Sequence, residues 1–390
     1  MRLPAKIAAV ALAALPLASA APSAPARTRA DADLKADIFA VMDVIYGHDF
    51  DRAGPAAAAL EARHPGHPAG PLLEAIVAYQ LWTAQGLRDD GTPKAVDRYL
   101  SRAADDAQSL EKTAPAEANY YMGAALGFRA RGLAAQKRFL SAVPAAASSL
   151  RHLKKALALD PSLEDARMGL GMYHYFAARM PPAARPFAAL LMGERGDRDK
   201  GLAELWAVAN SSGIARIEAR AVLSMILSKN DEADWNGAET LLVELMARYP
   251  RNPTYRLRRV YVAERRGDLE RANALADPDG SWIAALHPSL RVNARAWALY
   301  RAAECAMLLG RLDGAERRLA ALDERRAPKG LRDWIRMRRA NLDDARGRRD
   351  AAAAVYSRIK DKNAEATAKG FLSAPFPGGP RDVAPFFSGY

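Results

Sequence analysis

The chain has 390 residues, half of them hydrophobic and 26% charged, with one cysteine. The apolar fraction excludes a disordered chain, and the modest Gly and Pro content excludes a fibrous one. A lone Cys305 excludes an intrachain disulfide framework and a Cys-rich zinc site. The formal net charge is +12, and it is unevenly spread. Residues 1–250 hold 29 Lys+Arg against 28 Asp+Glu, whereas residues 251–390 hold 28 against 17, and 24 of those 28 are Arg. The basic character therefore belongs to the last third, which a whole-chain pI conceals.

Residues 1–20 read as a secretory signal. Arg2 and Lys6 supply the positive region, Ile7–Leu17 the apolar run, and Ala18-Ser19-Ala20 a small-x-small cleavage site. The run is too short for a membrane-spanning helix, which needs roughly 20 apolar residues. The expectation is a periplasmic or secreted chain, cleaved near Ala20, without a transmembrane segment. Nucleic acid is then a poor match for the basic charge. Residues 21–33 are rich in Ala, Pro and Arg and read as a flexible leader.

From residue 34 the apolar spacing is helical. Ile38, Val41, Met42 and Ile45 follow i, i+3, i+4, i+7. Further helices are predicted over 93–110 (with Thr92 as N-cap), 115–131, 145–159, 163–179, 200–209, 217–228 and 238–248. The pattern continues over 256–266, 295–309, 314–324, 331–346 and 351–359. Short Gly/Asp/Asn turns between them predict antiparallel hairpins. The segment 180–202 reads as an insertion between hairpins.

Two short words recur. One is a Gly, several mostly charged residues, and a small residue opening a helix. It stands as Gly196…Gly201, Gly267…Ala272, Gly310…Ala315 and Gly347…Ala352, with His48…Ala53 as a variant lacking Gly. The Gly suits a left-handed helix cap, and acidic residues suit the next N-terminus. The other word is a proline closing a Leu-rich helix, at Pro65, Pro161 and Pro250. In phase, these words resemble the tetratricopeptide repeat over roughly residues 34–365, with irregular unit lengths and a degenerate signature in the first helix. The resemblance implies an all-α, right-handed superhelix of antiparallel hairpins, one half spanning 34–250 and a basic half spanning 251–368.

The resemblance also implies a concave groove that binds a peptide or protein. Its phasing assigns to the groove Asp165, Met168, Met172 and Tyr175; Thr254, Leu257, Tyr261 and Glu264; Trp297, Tyr300, Glu304 and Met307; Trp334, Met337, Asn341 and Asp344. The strongest candidates are Met168, Met172, Tyr175, Tyr261, Trp297, Tyr300, Trp334 and Met337, because aromatic and Met side chains dominate peptide-binding surfaces. Ordinary core is the competing reading. The arginines Arg258, Arg259, Arg265, Arg266, Arg336 and Arg339 would bind an anionic envelope component, such as a lipid phosphate or acidic polysaccharide, if gathered on one face. A solvated outer face with Asp and Glu partners is the alternative.

Catalytic signals are thin. His64-Pro-Gly-His67 lacks further metal ligands, and Cys305 sits among Ala residues. No phosphate loop, nucleophile elbow or zinc-protease motif is present. The chain is expected to be a non-catalytic scaffold without cofactor; a site of dispersed carboxylates is the enzyme alternative. Residues 369–390, with Phe371, Phe376, Phe386 and Phe387 among prolines, read as a non-helical tail.

Overall fold

The computed structural model describes residues 29–87, 91–180 and 182–376. The signal segment 1–20, most of the leader and the end of the tail lie outside them. Among the described residues there are nineteen α-helices and no strand. In chain order they are α1 (Arg29–Tyr46), α2 (Phe50–Arg63), α3 (Ala69–Ala84), α4 (Thr92–Ser109), α5 (Pro115–Ala135), α6 (Phe139–Leu159) and α7 (Arg167–Ala178). Then follow α8 (Arg185–Met192), α9 (Arg198–Ala209), α10 (Arg216–Leu227), α11 (Trp235–Arg248), α12 (Pro253–Arg265) and α13 (Leu269–Ala276). The last are α14 (Ser281–Ala284), α15 (Pro288–Leu308), α16 (Leu312–Ala320), α17 (Lys329–Ala345), α18 (Arg349–Tyr356) and α19 (Lys362–Ser373). None of these is long and apolar enough to cross a membrane.

Chain neighbours pack on each other, and a second set of contacts joins alternate helices, α12 to α15, α15 to α17 and α17 to α19. This is the pattern of stacked helical hairpins, consistent with a helical-repeat solenoid. The turn words do what local stereochemistry requires. Gly267, Gly310 and Gly347 take φ values of 78°, 71° and 77°. The next residue in each case donates its N–H five residues back, as Asp268 does to the Ala263 carbonyl at 3.0 Å. In the first hairpin His48 fills this role at φ 53°, with Asp49 N–H donating to the Val44 carbonyl. The small residues Ala53, Ala272, Ala315 and Ala352 are fully buried where two helices meet. At Gly201 a Cβ would lie 2.5 Å from the Tyr175 nitrogen, so only glycine permits this approach of α9 to α7. The prolines end helices as expected, with the preceding His64, Asp160 and Tyr249 outside the helical region.

Several boundaries differ from the expectation. Residues 29–33 belong to α1 rather than to a leader. Thr92 is the first residue of α4, after Gly91 at φ 86°. α6 starts at Phe139 and carries Pro144 inside it. The insertion holds a helix of its own, α8, packed on α6. The first residues of the expected tail, to Ser373, are helical, because Phe371 buries against Tyr356 at 5.5 Å between ring centroids.

The array also folds back on itself. Ile38, Val41, Met42 and Ile45 of α1 share one apolar cluster with Ile217, Leu223, Tyr249, Tyr255 and Val262. Phe50 and Ala84 share another with Leu257, Trp282 and Trp297. A polar seam follows the same line. Asn252 Nδ2 donates to the Tyr46 carbonyl at 2.9 Å, Tyr249 OH to Asp43 at 2.6 Å, and Arg251 to Asp49 at 2.5 Å. The apolar core thus runs across residue 250, where the charge distribution changes.

Candidate functional site

The groove candidates lie on α7, α12, α15 and α17. The structure buries seven of the eight: Met168, Tyr175, Tyr261, Trp297, Tyr300, Trp334 and Met337. Met172 is half-buried against the same core. Tyr175 OH donates to Glu232 and Tyr261 OH to Asn230, both at 2.9 Å, and Trp297 meets Tyr300 edge-on at 6.2 Å. These side chains are interior packing, not an open groove lining. At Trp297 the fold-back contributes, because its cluster takes in Phe50 and Ala84.

The arginine candidates do not form one free basic face either. Arg258 is buried, within 3.4 Å of the Ser228 hydroxyl, and burial holds its guanidinium down to about 10. Arg259 donates to Glu239 at 2.9 Å, and Arg265 lies 5.5 Å over the Trp235 ring. Arg336 pairs with Asp333 at 2.9 Å and with Glu324. Arg339 donates to the Leu319 and Leu322 carbonyls at 2.9 and 3.1 Å. Arg266, at the end of α12, and Arg336 are the exposed members of the six.

What these helices do carry is a column of arginines in register. Arg258, Arg301 and Arg338 each stand nine residues before a turn glycine, Gly267, Gly310 or Gly347. All three are buried. Arg301 Nη1 donates to Glu264 at 3.0 Å and to Glu304 at 2.7 Å. Arg338 donates to the other oxygen of Glu304 from Nε at 3.1 Å, and to Asn341 from Nη1 at 2.8 Å. Asn341 Nδ2 donates to Tyr356 OH at 2.8 Å, and Tyr356 OH to Asp344 at 3.2 Å. Asp344 also accepts from Arg349 and from the Phe376 N–H, each at 2.8 Å. One network therefore ties α12, α15, α17 and α18 together. Burial pushes the Glu264 carboxyl up against the pull of Arg301, and raises the Cys305 thiol, whose Sγ lies 3.3 Å from Glu264. The carboxylates here face guanidiniums at short range, which ties the helices together.

Sequence reasoning placed Glu264, Glu304, Asn341 and Asp344 on this face but did not place Arg301 and Arg338 there. Their signal was present: Trp297 and Trp334, Arg301 and Arg338, and Gly310 and Gly347 all share one 37-residue offset.

Three of the histidines are tied to neighbouring helices. His64 pairs with Asp37 at 2.9 Å and His67 with Glu117 at 3.2 Å. His174 Nδ1 donates to Glu204 at 2.6 Å, while Lys200 Nζ donates to His174 Nε2 at 3.0 Å. Among the described residues no group of His, Cys, Asp and Glu could hold a metal ion.

An accessible cleft of about 470 Å³ opens instead at the seam. It is lined by Asp43, Val44, Gly47, Asp49 and Arg52 from the first hairpin, and by Arg248, Tyr249, Pro250 and Arg251 from the α11–α12 turn. Arg248 and Tyr249 both donate to Asp43, and Arg52 and Arg251 both face Asp49. The Tyr249 hydroxyl is pushed up by burial and by Asp43. No family model matches this chain, and no curated protein matches it either.

Proposed function

We propose that this chain is an exported, non-catalytic scaffold of the tetratricopeptide kind, a right-handed superhelix that binds a peptide or protein partner. The three successive inner helices that repeat Arg nine residues before a turn glycine support the repeat reading. The signal pattern of residues 1–20 supports export to the periplasm or beyond. With the inner aromatics buried, the partner contact moves to the seam cleft.

The observation that carries this relocation is the lining of the cleft. Arg52, Arg248 and Arg251 keep substantial exposure beside Tyr249, and Arg and Tyr are the residue types enriched at interface hot spots. The mixed charge suits a partner segment that carries both signs. The test is photo-crosslinking from a reactive residue placed at Arg52 in the secreted chain, repeated with Arg251→Glu and, separately, with Trp297→Ala. The proposal expects a specific adduct that Arg251→Glu abolishes. An adduct unchanged by Arg251→Glu refutes the seam as the docking surface. Mass measurement of the exported chain, with cleavage expected after Ala20, tests localisation.

A further inference from the structure

Among the described residues, one turn carries two of the three most exposed large apolar side chains. Between α5 and α6 the chain reads Gln136-Lys137-Arg138-Phe139-Leu140. Phe139 is 62% exposed and Leu140 is 92% exposed. The turn itself is well made: Lys137 takes the left-handed conformation at φ 62°, and Arg138 N–H donates to the Leu133 carbonyl at 2.9 Å. The exposure is therefore built into an ordered helix start. Lys137 and Arg138 are exposed as well, and neither forms an ion pair among the described residues.

Two apolar side chains directly beside two unpaired cations form an amphipathic tip. Lys137 and Arg138 call for anions, and Phe139 and Leu140 beside them for an apolar surface. A bilayer of anionic lipids satisfies both, with phosphates for the cations and the headgroup–acyl boundary for Phe139 and Leu140. We propose that the α5–α6 tip is a peripheral contact for an anionic lipid surface. This contact is separate from the arginine candidates of α12 and α17.

The test is co-sedimentation of the full mature chain with vesicles of phosphatidylcholine alone and of phosphatidylcholine mixed with phosphatidylglycerol. Binding is expected to the anionic vesicles only, and to fall with added salt. Lys137→Gln with Arg138→Gln is expected to weaken it roughly thirtyfold, at about one fivefold step per cation. Phe139→Ser with Leu140→Ser is expected to weaken it by roughly tenfold or more. Both double variants should melt at the parent temperature, since the altered side chains cover no core. A fluorophore on Leu140→Cys should shift to the blue on anionic vesicles, Cys305 being buried from the label. Binding to neither vesicle, equal binding to both, or an unchanged Phe139→Ser/Leu140→Ser variant would overturn the proposal.

Discussion

Glu304→Ala removes one carboxylate from between two buried guanidiniums. Glu304 accepts from Arg301 at 2.7 Å and from Arg338 at 3.1 Å, and both arginines are almost wholly out of solvent. Removing one member of a buried ion pair costs about 3–5 kcal/mol, because the remaining charge loses its compensation without regaining water. Glu264 still faces Arg301 at 3.0 Å and Asn341 still faces Arg338 at 2.8 Å. Those contacts place the expected loss near the lower end, about 3–4 kcal/mol. Glu304→Gln keeps one acceptor oxygen and should lose about half of that. Glu270→Ala, which unpairs the exposed Arg311, should leave the midpoint unchanged within error. Replacing Glu264, Glu304, Arg301 and Arg338 together by Leu, Leu, Met and Met should recover most of the loss, because the charges paired across α12, α15 and α17 are then removed together. Urea denaturation followed by circular dichroism at neutral pH measures all four. A Glu304→Ala variant within about 1 kcal/mol of the parent would refute the argument that this network holds α12, α15 and α17 together.

Three further outcomes follow from the packing. His48 is buried, its Nδ1 has no hydrogen-bond partner, and burial holds its ring at about 3, with His287 adding in the same direction. The folded chain therefore excludes the proton that the unfolded chain accepts below about 6.5, so stability is full above that pH and falls as pH drops, by about 2 kcal/mol at pH 5. Denaturation at both pH values should show this for the parent and not for His48→Asn, a residue that tolerates the positive φ; equal pH dependence would contradict it. Gly54 lies within α2 with nothing within 4 Å of an added Cβ, whereas a Cβ at Gly201 would meet the Tyr175 backbone. Gly54→Ala should then stabilise by about 0.5–1 kcal/mol and Gly201→Ala destabilise by about 2 kcal/mol or more, measured by the same titration. Asn252→Ala removes both the cap on Thr254 and the bond to Tyr46, and should cost about 1–2 kcal/mol. Hydrogen exchange should then quicken around residues 46–50 ahead of the rest of the chain.

Much of the hairpin order was legible because its causes are local. A left-handed cap at Gly267, or a helix end before Pro250, depends on a few consecutive residues and on φ or a missing N–H. α3 was not legible. Leu72, Leu73, Ile76 and Trp82 cover it on several sides, so it lacks the one-sided period that marks a helix. α8 and α14 were too short to show a period at all.

The candidate site divides in the same way. Periodicity placed Trp297, Glu304, Trp334 and Asn341 on one face of their helices, and the 37-residue offset in the sequence carries Arg301 and Arg338 to matching positions. What covers that face could not be read there. Burial is decided by segments more than 200 residues away, as when Asn293 reaches the Ala84 carbonyl and Tyr249 reaches Asp43. The sequence by itself determined most of the helices and their turns, both set by interactions within a few residues. Only the tertiary structure decided that the array folds back, that its inner aromatics become core, and that its buried arginines meet carboxylates from neighbouring helices. Those outcomes depend on apolar area and charge brought together through space, for which spacing along the chain carries no signal.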